Sequence, residues 1–137
     1  MKQKMNVTNT VRNEFRGIYN CGGYALNTFN WYYISETMFG VSNSDEAVEC
    51  YADSIVRDFN GKVRIIQGIE ELINDEYAVA FRTRNGDFHF CKRDDSGNWR
   101  HKRGGTPTLH RITKAELFSE QWPGGYDSRI VLFAVKK

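Results

Sequence analysis

The chain carries few of the residues that staple a protein together or direct it out of the cell. Three cysteines, Cys21, Cys50 and Cys91, stand among 137 residues. An odd count cannot pair completely, and no two are spaced as C-x-x-C. That excludes a zinc ribbon or a thioredoxin-like motif and leaves free thiols in a reducing compartment as the expectation. Proline occurs only at Pro107 and Pro123, so no Pro-rich linker divides the chain, and no repeat or low-complexity tract is visible. No apolar run approaches the ~18 residues of a membrane span. The opening Met1-Lys2-Gln3-Lys4 lacks the apolar stretch of a signal peptide, and a cytoplasmic location without a membrane partner is expected. Charge is nearly balanced, 19 Lys and Arg against 17 Asp and Glu, for a net +2. That balance, with no basic stripe, argues against a general grip on nucleic acid.

What is present suffices for one domain over residues 1–137, with residues 1–15 read as a loose N-terminal segment. A chain of this length buries roughly two thirds of its unfolded surface, so a core forms without a staple. Aromatic residues make up 14% of the chain, which fits an aromatic-packed core or a stacking surface equally well. Tyr24, Ala25, Leu26, Phe29, Tyr32 and Tyr33 recur at helical intervals. They predict a helix from residue 20 to about 34, with Asn20 as its N-cap and Cys21, Gly22 and Gly23 as its first turn. A second helix starts at a capping-box-like Asn43 and Glu46, carries the stripe Val48, Tyr51, Ala52, Ile55, Val56 and Phe59, and stops at Asn60-Gly61.

Beyond it the period falls to two. Strands are predicted at Lys62–Ile66, Glu76–Thr83, Asp87–Arg93, Asn98–Lys102 and Arg129–Val135, with a helical turn or two at Ile69–Ile73 and a short helix at Lys114–Ser119. The Asn85-Gly86 pair favours a tight primed hairpin turn. Helices first and an antiparallel meander after them make an α+β layout.

Nucleophilic thiol chemistry needs a stabilised thiolate, a base for its proton and donors for an oxyanion. The start of a helix lowers a thiol's pKa and leaves backbone N–H groups free, and Cys21 is predicted at such a place. Gly22 and Gly23 would let a substrate backbone approach closely. The plain alternative is a Gly-rich loop into a helix with a buried structural cysteine. His89 lies mid-strand, with Phe88 and Phe90 on the opposite face. His101 follows across the turn at residues 94–98, in a hairpin whose paired numbers sum to about 190–192, nearly opposite His89. One imidazole can serve as base while the other fixes its tautomer. Two exposed strand histidines would explain the same letters.

Asn20-Cys21-Gly22-Gly23-Tyr24 resembles the Asp-Cys-(Ser/Gly)-Gly-(Phe/Leu) signature of the NlpC/P60 cysteine peptidases, part of the papain-like superfamily. In that family the Cys opens a helix packed on an antiparallel sheet, a His lies on a following strand, and a third polar residue, often His, lies on the next. The resemblance covers the Cys motif and residues 76–102. It implies a papain-like core in which Cys21 is the nucleophile, His89 the general base, His101 the orienting residue and the Cys21 N–H one oxyanion donor. Asn20 stands where the family has the acidic residue that helps recognise a substrate amine. The family's upstream Gly-Gly and Tyr signature is absent, with only Gly17, Ile18 and Tyr19 before the motif. A second oxyanion donor often lies upstream in related folds, and Asn13 and Tyr19 are the residues available for it.

Other features carry less. Cys91 shares the face of His89 and reads as a small packed residue. Zinc held by Cys21, His89, His101 and Cys91 would suit their chemistry, but their spacing follows no compact metal motif. Cys50 reads as structural, and His110 has no evident partner. The segment from Trp99 to Gly105 is basic and aromatic; Trp99 is read as a wall of the site and Arg103 as a charge that attracts an acidic substrate, though a solvated strand end explains the same letters. The loop Gln121 to Tyr126 reads as a rim or lid, or equally as a surface turn. The resulting expectation is a cysteine hydrolase of amide or isopeptide bonds, acting on a peptide or protein without a cofactor or metal. Its alternatives are a catalytically silent binding or inhibitory module on the same fold, such as a phage- or virus-encoded antagonist, and a thiol-dependent acyltransferase.

Overall fold

The computed structural model describes residues 19–35 and 41–137. The predicted loose N-terminal segment and Asn13 lie outside the described residues. The first element, α1 (Cys21–Ala25), is a five-residue helix rather than the long one that the aromatic spacing predicts. Asn20 caps it as expected: its Oδ1 accepts from Gly23 N at 3.0 Å. The same Oδ1 accepts from Tyr32 N at 3.0 Å, and Nδ2 donates to Tyr32 O at 2.8 Å. One side chain thus ties the helix start to the segment that follows it. The helix ends because Asn27 and Phe29 take left-handed φ values of 57° and 56°. The chain folds back there, and Thr28 N and Phe29 N both donate to Gly23 O. The Gly-Gly pair has an internal reason as well. A Cβ at Gly23 would meet the Asn30 carbonyl oxygen at 1.9 Å, and one at Gly22 would meet the Tyr32 ring at 2.8 Å.

Helix α2 (Asp45–Asp58) is capped one residue later than the sequence suggests, by Ser44, whose hydroxyl accepts from Ala47 N. Asp45 and Glu46 in the first turn and Arg57 in the last complement the helix dipole. Its inner stripe buries Val48, Tyr51, Ala52 and Ile55 as predicted.

The sheet is antiparallel throughout, in the order β1-β6-β2-β3-β4-β5. Its strands are β1 (Val63–Ile66), β2 (Glu76–Arg84), β3 (Asp87–Arg93), β4 (Trp99–Lys102), β5 (Leu109–Ile112) and β6 (Val131–Lys136). A 3-10 turn, Ile69–Glu71, and a short helix α3 (Lys114–Leu117) complete the order. Strand β5 is absent from the sequence reading. The β2–β3 hairpin closes at Arg84 opposite Asp87. Among the described residues only Gly86 of its loop takes a left-handed φ, 93°, so the turn is not the doubly left-handed form favoured by Asn-Gly. Tertiary contacts account for this: Gly86 N donates to Val41 O at 2.6 Å, and Asn85 Oδ1 accepts from Asn43 N.

Alternation along β2 sorts the core into two faces. Tyr77, Val79 and Phe81 join Phe90 and Phe133 against α1 and α2. Ala78, Ala80, Cys91 and Ala134 point the other way, and their small size is matched by Trp99 and Trp122 from beyond. The chain is therefore a mixed α+β domain, with helices on one face of a six-stranded sheet and α3 plus the loop after it on the other. Among the described residues no helix is long and apolar enough to cross a membrane.

Candidate active site

The β3–β4 ladder covers only Lys92 opposite Arg100 and Arg93 opposite Trp99. Toward the other end of β3 the α1 turn packs against both strands. Cys21, the first residue of α1, is 5% exposed and lines a cavity of about 320 Å³ with His89, Asp87, Trp31, Tyr33 and Tyr126. Burial pushes its thiol up to about 12. Hydrogen bonds from the Phe90 and Gly22 backbones and the Lys102 charge pull it down, and the Asp87 carboxylate pushes it up again. The lowered thiol expected of a helix start is not found, because a five-residue helix offers little dipole against the loss of water around the sulfur.

His89 and His101 meet, as the predicted β3–β4 hairpin suggests, although on a diagonal and not directly opposite each other. Their rings are buried, with His89 Nε2 and His101 Nδ1 2.9 Å apart. Burial lowers both imidazoles below their ordinary pKa; for His89, the neighbouring His101 and then the charges of Arg103 and Arg84 add to the effect. At neutral pH the resting state is therefore a neutral thiol beside neutral imidazoles. Among the described residues no hydrogen bond reaches His89 Nδ1, and no buried side-chain nitrogen or oxygen is left unpartnered. That nitrogen therefore keeps its access to the cavity.

Tyr126 stacks on His89, with ring centroids 5.0 Å apart and planes at 22°. Its hydroxyl donates to Asp87 Oδ2 at 2.8 Å, and the Arg84 guanidinium lies over the ring at 4.9 Å. The loop bearing Tyr126 is pinned from below by Arg82, buried in the sheet, whose guanidinium donates to the carbonyls of Ser119, Glu120 and Ser128. The rim reading of this loop thus holds for Tyr126, while Trp122 is buried beneath it. His110 has a partner after all: it is opposite His101 in the β4–β5 register, with ring centroids 5.5 Å apart.

The residues predicted to contact substrate are placed as follows. Trp99 sits in the core of the far face, two residues along β4 from His101, and does not wall the Cys21 cavity. Tyr19 is buried edge-on against Phe29, and its carbonyl accepts from Lys102 Nζ. Asn20 lines the cavity, but its amide is engaged on both the oxygen and the nitrogen side by Gly23 and Tyr32. Gly22 is closed over by Tyr32 and Phe90, so its missing side chain makes room for the core. Arg103 is exposed and close enough to lower both histidines. Cys91 is fully buried behind the site, where burial first and then its nearness to Cys21 push its thiol well up, and Cys50 is exposed on α2.

Lys102 is the main residue that sequence reading misses. It is fully buried, and Nζ donates to the Tyr19 and Gly104 carbonyls, clasping the strand end to the residues before Cys21. The basic run around it reads as solvated surface, and only the alternation with His101 hints otherwise. Trp31 and Tyr33, at 43% and 60% exposure, form an aromatic rim that the helical reading of their segment obscured. Among the described residues no three His, Cys, Asp or Glu side chains are grouped to hold a metal ion. Comparison with protein-family models, with curated proteins and with solved structures finds no match to this chain.

Proposed function

We propose that the chain is a cysteine hydrolase of amide or isopeptide bonds on a papain-like, NlpC/P60-like core. The observation that carries this reading is the buried His89–His101 hydrogen bond of 2.9 Å, which leaves His89 Nδ1 to the cavity shared with Cys21. For Nδ1 to accept a proton, His89 must carry its own on Nε2 and donate it to His101 Nδ1, which assigns both tautomers. Cys21 Sγ attacks the substrate carbonyl carbon as its S–H proton passes to His89 Nδ1. The Cys21 N–H is one donor to the oxyanion. The tetrahedral adduct collapses to a thioester as His89 returns the proton to the leaving amine. Water then adds to the thioester, giving a proton to His89; the acid departs and the thiolate is reprotonated. The buried Lys102 charge and the backbone donors at Phe90 and Gly22 stabilise sulfur while it is anionic. Transfer of the same acyl group to an amine or alcohol would make the chain an acyltransferase.

A second reading, a silent binding or inhibitory module such as a phage- or virus-encoded antagonist, is favoured by the high pKa of Cys21 and by the exposed Trp31 and Tyr33 at the cavity mouth. Reaction with p-nitrophenyl acetate separates the two. The hydrolase reading expects one acetyl group on Cys21 at pH 7, found by peptide mass spectrometry and lost in His89→Ala. Equal acetylation of Cys21 in wild type and His89→Ala, or none, removes the base from the mechanism and leaves the binding module.

A further inference from the structure

We propose that a second cavity, away from Cys21, binds a small organic anion with an apolar body. This proposal does not depend on the hydrolase reading. The cavity holds about 470 Å³, within the range of small-molecule sites. Its floor belongs to the far sheet face: Trp99, Ile112 and Leu132 are all in that core. Arg93, Trp99 and Ile112 form one row across β3, β4 and β5, since Arg93 is opposite Trp99 and Trp99 opposite Ile112. A cation therefore stands at the end of an aromatic and aliphatic platform.

That cation is not alone. The Arg93 guanidinium lies over Gly97, where a Cβ would meet its Nη2 at 3.1 Å. Arg111 Nη2 donates to Asn98 Oδ1 at 3.0 Å, so the two guanidinium groups gather at consecutive residues of one turn. Lys114 adds a third cation to the lining. Among the described residues none of the three is in an ion pair with a carboxylate. Glu70 is the one acidic residue of the lining, and its carboxylate is folded back over Gly68. Three cations held together against one carboxylate create a positive potential that a bound anion relieves.

The apolar part of the ligand follows from the rest of the wall. Phe118 and Ile69 also line the cavity, 50% and 37% exposed, beside the Trp99 floor. An inorganic anion would leave this surface wet, and a neutral apolar molecule would leave the guanidinium groups unpaired. An apolar or aromatic body carrying a carboxylate or a phosphate monoester satisfies both, since the arginine fork donates bidentately to either head group.

The test is nuclear magnetic resonance titration of the full chain with 2-naphthoate, 2-naphthyl phosphate, 2-naphthalenemethanol and inorganic phosphate. One or both naphthyl anions should shift the Trp99 indole and the Ile112 and Leu132 methyl signals saturably. The alcohol and inorganic phosphate should bind about tenfold more weakly or worse, and the tighter anion identifies the head group. Arg93→Gln with Arg111→Gln should weaken that anion by a similar factor, and the exposed Arg111→Gln alone should weaken it in part without disturbing the fold. Three results overturn the proposal: no saturable shift, an alcohol that binds as tightly as the anions, or affinity unchanged in both variants.

Discussion

His89 and His101 touch on a diagonal, not across a rung. Continuing the register of Lys92 with Arg100 would put His89 opposite Arg103 and His101 opposite Cys91. The 2.9 Å contact between Nε2 and Nδ1 therefore bridges two positions along the strands, where the ladder has ended and α1 packs against both. The same parting of the strands gives Cys21 its place. A cysteine at the helix start and a histidine on the face away from that helix can share a cavity only where the sheet is not closed between them.

Replacing His101 tests how much that contact matters. His101→Phe leaves His89 Nε2 in a buried site without its partner, at an expected cost of about 1–3 kcal/mol. His101→Gln keeps an acceptor within reach and should recover most of the loss. Chemical denaturation measures the first effect, and iodoacetamide alkylation of Cys21 at pH 7 measures the second. The Phe variant should alkylate more slowly than wild type, and the Gln variant should lie between them. Equal stability and equal alkylation in all three proteins would show that the two rings act independently.

The pKa directions also set a pH profile of stability. His89 and His101 bind protons less readily folded than unfolded, because burial penalises the imidazolium. As pH falls below the unfolded value of about 6.5, the unfolded chain takes up protons that the folded chain refuses, and stability declines. Glu76 and Asp94, held low by Arg64 and by hydrogen bonds of the 94–98 turn with Arg100, act in the same sense but only near the carboxylate range. Between about pH 6.5 and 5 the slope therefore belongs to the histidines. Cys21 works at the alkaline end: its thiol ionises near 12 folded and lower unfolded, so stability declines again as pH rises above about 9. Unfolding free energies from pH 4.5 to 10 should form a plateau near neutrality. The acid slope should flatten when both histidines are replaced by Gln, measured relative to that variant's own plateau.

Much of this arrangement is legible in the sequence, wherever it rests on strand alternation and turn residues. The split of β2 into Tyr77, Val79 and Phe81 on one face and Ala78 and Ala80 on the other follows from period two alone. So does the approach of His101 to His89, once the turn at residues 94–98 is found. The long first helix fails because spacing does not register backbone handedness. Asn27 and Phe29 turn the chain left-handed, and Tyr32 lies near Cys21 through the Asn20 amide rather than one helical turn away. Trp99 shares a face with His101, yet does not line the Cys21 cavity, because two residues of strand span about 7 Å. Tyr126 comes from a loop that reads equally as a rim or a surface turn, and Lys102 from an outwardly polar run, so neither is singled out by its local sequence. Strand β5 is four residues long and half exposed, too short for its alternation to stand out from a loop.

Gly23 and Gly86 should both lose stability on gaining a methyl group, from different causes and by different amounts. Gly23→Ala drives a Cβ to 1.9 Å from a backbone carbonyl oxygen, and the Asn30 backbone is held by the turn that follows α1. The expected loss is about 3 kcal/mol or more, with Cys21 displaced along with its helix. Gly86→Ala meets no atom within 4 Å but must hold a φ of 93°, costing about 1–2 kcal/mol from backbone strain alone. Denaturant midpoints with unchanged slopes distinguish the two. A Gly23→Ala protein as stable as the Gly86→Ala one would mean that the fold-back over α1 is looser than its contacts imply.

Arg82 links the stability of the sheet to the geometry of the site. It is 3% exposed, makes no ion pair among the described residues although the Asp127 carboxylate acts on it from a distance, and spends its guanidinium on three main-chain carbonyls of the segment around Trp122 and Tyr126. Arg82→Met keeps the aliphatic stem but strands those carbonyls, at an expected cost of about 2–3 kcal/mol. The distinctive consequence lies in residues 119–128. Their amides should exchange faster in hydrogen-exchange mass spectrometry, while those of α2 and β6 keep their order of protection. With the Tyr126 ring no longer held against His89, the imidazole gains water and its pKa rises toward the ordinary value, visible as a histidine Cε1 resonance titrating at higher pH than in wild type. Global loosening without preferential exchange at residues 119–128, or an unmoved His89 titration, would confine Arg82 to the core and detach it from the site.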